Sequence, residues 1–314
     1  MEPKPEDYDY ELDRALSAVV GVKAIIPADA FTAETLGTER VGHGVLIDKS
    51  GLVLTIGYLI TEAETVWLSL AGGRVVQGHV LGYDQETGFG LIQALARLDA
   101  PYLTLGSSAR AMTAERMVVG AAGGRQHAIV ARIKAKQEFA GYWEYVIDEA
   151  IFTAPAHPTW SGTALIGRGG DLIGIGSLQL QQQARSGGSS IDVNMMVPID
   201  LLKPILDDLR TLGRRRDPPR PWLGLYATEV GAKIVIAGIS DRGPARKADL
   251  RPGDVVAQVG GHEVTSLAQF FRSIWSVGAA GVEVPIRLTR GGDSFEIRVK
   301  SVDRTRLLKG PILH

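Results

Sequence analysis

The chain has 314 residues, 45% of them apolar and 22% charged, the balance of a globular protein with room for two domains. A net charge of −1 provides no basic surface for nucleic acid or for an anionic membrane. The absence of cysteine removes disulfides, thiolate metal sites and cysteine nucleophiles together.

The first 13 residues carry Glu2, Glu6, Asp7, Asp9, Glu11 and Asp13, the opposite of the basic start of a secretory signal. As written, the sequence therefore reads as cytoplasmic; the alternative is the periplasm, if a leader has been removed. The apolar run "SAVVGVKAIIP" is interrupted by Lys23 and falls short of the ~18 residues of a spanning helix, so no membrane span is expected.

In "EDYDYELDRALSAVV" the spacing of Leu12, Ala15 and Leu16 predicts a short helix running into a strand. From Val19 to about Val197 the pattern becomes a series of short apolar runs, among them "VVGVKAII", "HGVLID", "LVLTIGYLI", "RVVQGHVLGY", "RMVVGAA", "AIVARI" and "DLIGIGSL". Gly, Asp, Asn or Ser separates most of them, and no long helical stretches intervene to make crossovers. That predicts antiparallel barrels or sandwiches. "PIDLLKPILDDLRTLG" reads as one amphipathic helix with Ile199, Leu202, Ile205 and Leu209 on its apolar face.

"RRRDPPRP", residues 214–221, reads as an extended, solvated linker, with an anion-binding patch as the functional alternative. The remainder predicts a compact α+β domain with about five strands, a short helix near Pro244–Ala248 and a longer one from about Ser266 to Ser276. "GAAGG" lacks the lysine of a phosphate-binding loop, and no His/Asp/Glu group has metal-ligand spacing, so neither cofactor nor metal is expected. "QQQARSGGSS", residues 181–190, reads as a flexible loop.

The last part resembles a PDZ domain of the kind attached to HtrA/Deg-type proteases, on "WLGL" at 222–225, "GPARKADLRPGDVVAQVGGHEV" at 243–264 and "SLAQFFRSI". A Φ-Gly-Φ loop can turn its backbone N–H groups toward a peptide carboxylate, so Trp222, Leu223, Gly224 and Leu225 are candidate peptide-binding residues. The peptide would add as a strand beside the one that follows, with the long helix as the far wall. Residues 10–212 resemble the trypsin-like domain of the same family, on "SAVVGVKA", "GHGVLIDKSGLVLTIGYLI", "LGYDQETGFGLIQA", "MVVGAAGGRQHAIVARI" and "PTWSGTALIGRGGDLIGIGSLQL" in order.

The resemblance implies a mainly β fold, a trypsin-like double β-barrel followed by a small α+β PDZ domain. The divisions are a helical segment over 1–18, the protease-like domain over 19–212, a linker over 213–221, the PDZ domain over 222–305 and a tail over 306–314. It also implies polypeptides or protein C-termini as partners and a homo-oligomer, commonly a trimer, to which Tyr8 and Tyr10 could contribute.

Carried over residue by residue, the resemblance places the nucleophile at Ser161, Tyr58 where the family has histidine and Gly88 where it has aspartate. A serine hydroxyl needs a base to take its proton and a group to orient that base. Tyrosine, with a pKa near ~10, has almost no basic form at neutral pH. Losing the histidine alone costs on the order of 10⁶ in kcat in a template enzyme. Thr159 and Thr163 stand where the family has the glycines of its oxyanion loop. Of the six histidines, His43 and His157 are the candidate replacement bases: His43 by pairing across the Lys49–Ser50–Gly51 turn toward Tyr58, His157 by folding back along its own loop. The expectation is a catalytically degenerate member that binds polypeptide as an adaptor or chaperone-like protein. The alternative is an active serine endopeptidase using Ser161 with a non-standard base.

Overall fold

A computed structural model describes residues 1–182 and 190–310; the centre of the 181–190 loop and His314 lie outside the described residues. The chain divides into two compact units. The first takes residues 1–137, 149–215 and the chain from Lys309; the second takes residues 138–148 and 216–308. A contiguous cut at 213–221 therefore misses one segment, because 11 residues of the protease-like stretch cluster with the second unit.

In the first unit, β1 (Val19–Ile25), β2 (Glu39–Leu46), β3 (Leu52–Ile56), β4 (Thr65–Ser69), β5 (Val75–Tyr83) and β6 (Phe89–Ala94) form a closed barrel in the order β1-β2-β3-β6-β5-β4. β1 closes it by pairing on both sides, with Val22 opposite Gly42 on β2 and Leu68 on β4. Closure leaves no unpaired edge. β7 (Arg116–Gly120), β8 (Ala128–Gly141), β9 (Tyr145–Ala154), β10 (Ala164–Ile166), β11 (Leu172–Gln182) and β12 (Ile191–Pro198) make a second closed barrel, ordered β10-β11-β12-β9-β8-β7. Its core gathers Met117, Val119, Ala131, Ile133, Ile151, Leu165, Ile173 and Met196. The fold is mainly β, as the short separated apolar runs predict.

α1 (Leu12–Ser17) buries the three residues whose spacing predicts it, Leu12, Ala15 and Leu16. α2 is the single turn Ala33–Leu36. The predicted long helix is shorter: α3 spans only Leu206–Leu212, preceded by a 3₁₀ turn at Ile199–Leu201. Pro204 lies between them, lacking an N–H and restricting the residue before it. The predicted face survives the break, since Ile199, Leu202, Ile205 and Leu209 are all buried.

The second unit is built on a sheet ordered β13 (Leu225–Val230), β14 (Lys233–Ile239), β15 (Val255–Val259), β17 (Glu283–Arg290) and β18 (Asp293–Lys300), with β16 (His262–Glu263) added to β15. α4 (Pro244–Lys247) and α5 (Leu267–Ser276) complete it. Ser266 caps α5, its hydroxyl accepting from the Gln269 N–H at 3.1 Å. α5 buries Leu267, Phe270, Phe271 and Ile274 at helical spacing, and these join Leu223, Ile236 and Ile286 in one core.

The linker arginines are not simply solvated. Within the first unit Arg215 pairs with Asp84 at 2.7 Å and Glu86 at 3.5 Å. Within the second, Arg220 lies over the Trp275 ring, 4.3 Å from its centroid. Among the described residues no helix is long and apolar enough to cross a membrane.

Candidate functional site

Ser161 stands in the turn between β9 and β10. The turn is closed by the Thr163 N–H donating to the Trp160 carbonyl at 3.2 Å. Gly162 at its third position has φ +78°, and a Cβ there would sit 1.8 Å from the His43 carbonyl oxygen, so only glycine fits. The His43 N–H donates to the Ser161 carbonyl at 2.8 Å, seating the turn against β2.

Tyr58 follows β3 on the 3₁₀ turn Gly57–Leu59. Gly88 supports that turn through its backbone: its carbonyl accepts the Gly57 N–H at 2.6 Å, at a φ of +84°. Arg40, buried at 5% exposure, holds the turn from behind by donating to the Tyr58 carbonyl at 2.7 Å and the Thr61 carbonyl at 3.1 Å. These contacts bring the Tyr58 hydroxyl to 2.7 Å from both Ser161 Oγ and the Ser177 carbonyl oxygen.

The phenol has one proton, and the carbonyl can only accept. With that O–H donated to the Ser177 carbonyl oxygen, the serine hydroxyl is the donor to the phenol oxygen. Burial pushes the Tyr58 phenol up to about 12, against hydrogen bonds from Ser161 and Trp160 that pull it down. At neutral pH the group facing Ser161 is thus a neutral phenol, which cannot take a serine proton.

Both candidate imidazoles are engaged elsewhere. His43 Nδ1 accepts the Ala122 N–H at 3.2 Å, which leaves the proton on Nε2, 3.1 Å from Thr159 Oγ1. His157 Nδ1 accepts the Thr159 N–H at 3.2 Å, and its Nε2 donates to the His127 carbonyl at 3.0 Å. That contact also turns the Thr159 N–H, one of the expected oxyanion donors, toward His157. Asp84, close in sequence to Gly88, is buried, accepting from Thr87 and paired with Arg215.

In the second unit the Φ-Gly-Φ loop has the geometry of an anion nest. Leu223 and Leu225 are buried, and Gly224 between them has φ +73°. A Cβ on Gly224 would meet Gly243 Cα at 2.7 Å. The N–H groups of Leu223, Gly224 and Leu225 converge on the Glu144 carboxylate, at 3.2, 2.8 and 3.2 Å from its Oε1. Trp222 differs from its expected role, since its N–H donates to the Val302 carbonyl at 3.0 Å. Glu144 carries no sequence motif. The only signal is a carboxylate among aromatics, "GYWEYV", at a hairpin tip without glycine or asparagine in its place.

A family model described as a trypsin-like peptidase domain matches residues 42–175, and a PDZ domain model matches residues 221–301. A "Probable periplasmic serine endoprotease DegP-like" of Hahella chejuensis is 26% identical over 280 residues, covering 83% of this chain and 57% of that protein. The chain therefore matches less than two thirds of that relative's length. A "Serine protease Do-like HtrA" of Lactobacillus helveticus is 28% identical over 298 residues, 84% of this chain and 69% of that protein. The solved structure "HtrA-type protease AlgW with tripeptide" has the same fold, with a TM-score of 0.55 over 96% of this chain and 97% of that one at 23% identity. By the order of its domains and the relatives that match both, the chain belongs to the HtrA-type serine protease family, a trypsin-like domain followed by a PDZ domain.

Proposed function

We propose that this chain captures polypeptides through its PDZ domain and does not cleave them at a useful rate, acting as an adaptor or chaperone-like protein. One observation carries the reading. The hydroxyl of Ser161 faces a neutral phenol at 2.7 Å, while the imidazoles of His43 and His157 are spent on Ala122, Thr159 and His127. Without a base within reach, the serine remains a neutral alcohol.

The rival reading is an endopeptidase using Ser161, favoured by the names of the relatives. A fluorophosphonate probe and unfolded casein, applied to the protein and to Ser161→Ala, separate the two. The expected result is the same negligible labelling and cleavage in both. Labelling and cleavage lost only in the variant would establish the endopeptidase.

From relatives described as periplasmic we carry over the periplasm as compartment, in place of the cytoplasmic expectation. Fractionation of cells expressing the natural gene tests it. The family resemblance also supports a homo-oligomer; light scattering gives its mass, with a monomer as the overturning result.

A further inference from the structure

The loop that should receive a peptide carboxylate already holds one. We propose that Glu144 is an internal ligand of the Leu223–Gly224–Leu225 loop, a stand-in for the terminal carboxylate of a peptide, which an incoming peptide must displace. The inference rests on the peptide-binding reading above and adds its regulation.

Three walls of the groove contact residues 138–148. At the loop, the three amides reach Glu144, with Leu223 N–H also 3.2 Å from its Oε2. At the sheet edge, Ala227 on β13 donates its N–H to the Tyr142 carbonyl at 3.0 Å. β13 ends the sheet order, so this is the edge where an added peptide strand would pair. At the helix, Arg272 on α5 binds Glu138 and Asp148, each at 2.5 Å. Val146 then enters the core shared with Leu223, Leu225 and Phe271.

The backbone of Glu144 is itself held in an uncommon state, φ +61°. A non-glycine residue persists there only when its surroundings over-determine it. A hairpin tip needing only a turn would be served by glycine or asparagine. The carboxylate contacts are what glutamate adds.

An occupied site reduces apparent affinity by the fraction of chains in which it is open. Vacating it should therefore tighten binding of any peptide that uses the same amides. The probes are fluorescein-labelled decapeptides ending in valine, leucine or phenylalanine, with a free carboxylate or a terminal amide. They are titrated into the full chain, Glu144→Gly, which also relieves the backbone, and Glu144→Gln, which keeps the side-chain volume. The expected result is binding of the free-acid peptides about tenfold or more tighter to Glu144→Gly than to the wild type, a smaller gain in Glu144→Gln, whose amide oxygen can still accept from the loop, and the amidated peptides bound by none. Amide hydrogen exchange at Leu223, Gly224 and Leu225 is read in parallel, and should be protected in the wild type and fast in Glu144→Gly.

Equal affinities in wild type and variants, or equal exchange at the three amides, overturns the inference. A free acid bound by none of the proteins, with protection lost in Glu144→Gly, supports Glu144 as the loop's ligand and overturns the peptide-receptor reading instead.

Discussion

His43 and His157 meet on one hydroxyl: Thr159 Oγ1 is 3.1 Å from His43 Nε2 and 3.2 Å from His157 Nδ1. This arrangement needs a neutral His43, because its Nδ1 must accept the Ala122 N–H. Burial pushes the His43 imidazole down to about 4, with the neighbouring His157 charge adding to the effect. The folded chain thus holds this proton less tightly than the unfolded chain does. The contribution to stability is full above the ordinary value of about 6.5 and is lost as pH falls from there through about 4. Imidazole NMR should show His43 uncharged at pH 5, and a midpoint above 6 would contradict the bonding described here.

The Tyr58 hydroxyl is a structural partner of Ser161 and of the Ser177 carbonyl in this account. Tyr58→Phe should cost about 1–2 kcal/mol, because the half-buried serine and the carbonyl of buried Ser177 lose a partner. Urea denaturation measures it. Fluorophosphonate labelling of Ser161 should not change; a fall from a measurable level would show that the phenol assists attack.

Arg40 donates to Gly37, Tyr58, Thr61 and Thr32, and Thr32 in turn donates to Glu62. Arg40→Ala strands several buried acceptors and leaves the Glu62 carboxylate without its nearby cation. We expect a loss of about 3 kcal/mol in chemical denaturation. A loss below about 1 kcal/mol, the range of exposed pairs, would mean that the network is solvated.

Burial pushes the Glu144 carboxyl up to about 7, against the three loop amides and the Arg304 guanidinium, which pull it down. A raised value means that the docked state binds the proton more tightly than the released one. Docking is therefore fully favoured below the ordinary glutamate range and weakens as pH rises through about 7. Peptide affinity of the wild type should rise between pH 5 and pH 8, and that of Glu144→Gly should show less dependence on pH. Parallel profiles for the two proteins would remove Glu144 as the titrating group.

The sequence by itself determined the class of fold and the succession of its parts. Short apolar runs with turn residues between them allow only strands, and the spacing of Leu12, Ala15 and Leu16 or of Phe270 and Ile274 allows a helix with one buried face. It also determined the chemical identities at Ser161, Tyr58 and Gly88, and hence which groups cannot act as a base. Only the tertiary structure decided where the ring nitrogens of His43 and His157 are spent, since Ala122 and Thr159 are brought to His43, and the His127 carbonyl to His157, by contacts between segments distant in the chain. The same holds for Pro204, whose break leaves the buried face of the predicted helix intact because tertiary packing holds that face. Glu144 was illegible for the plainest reason: it lies about 80 residues from Gly224 in the chain. Local periodicity carries no record of which carboxylate a set of converging amides will bind.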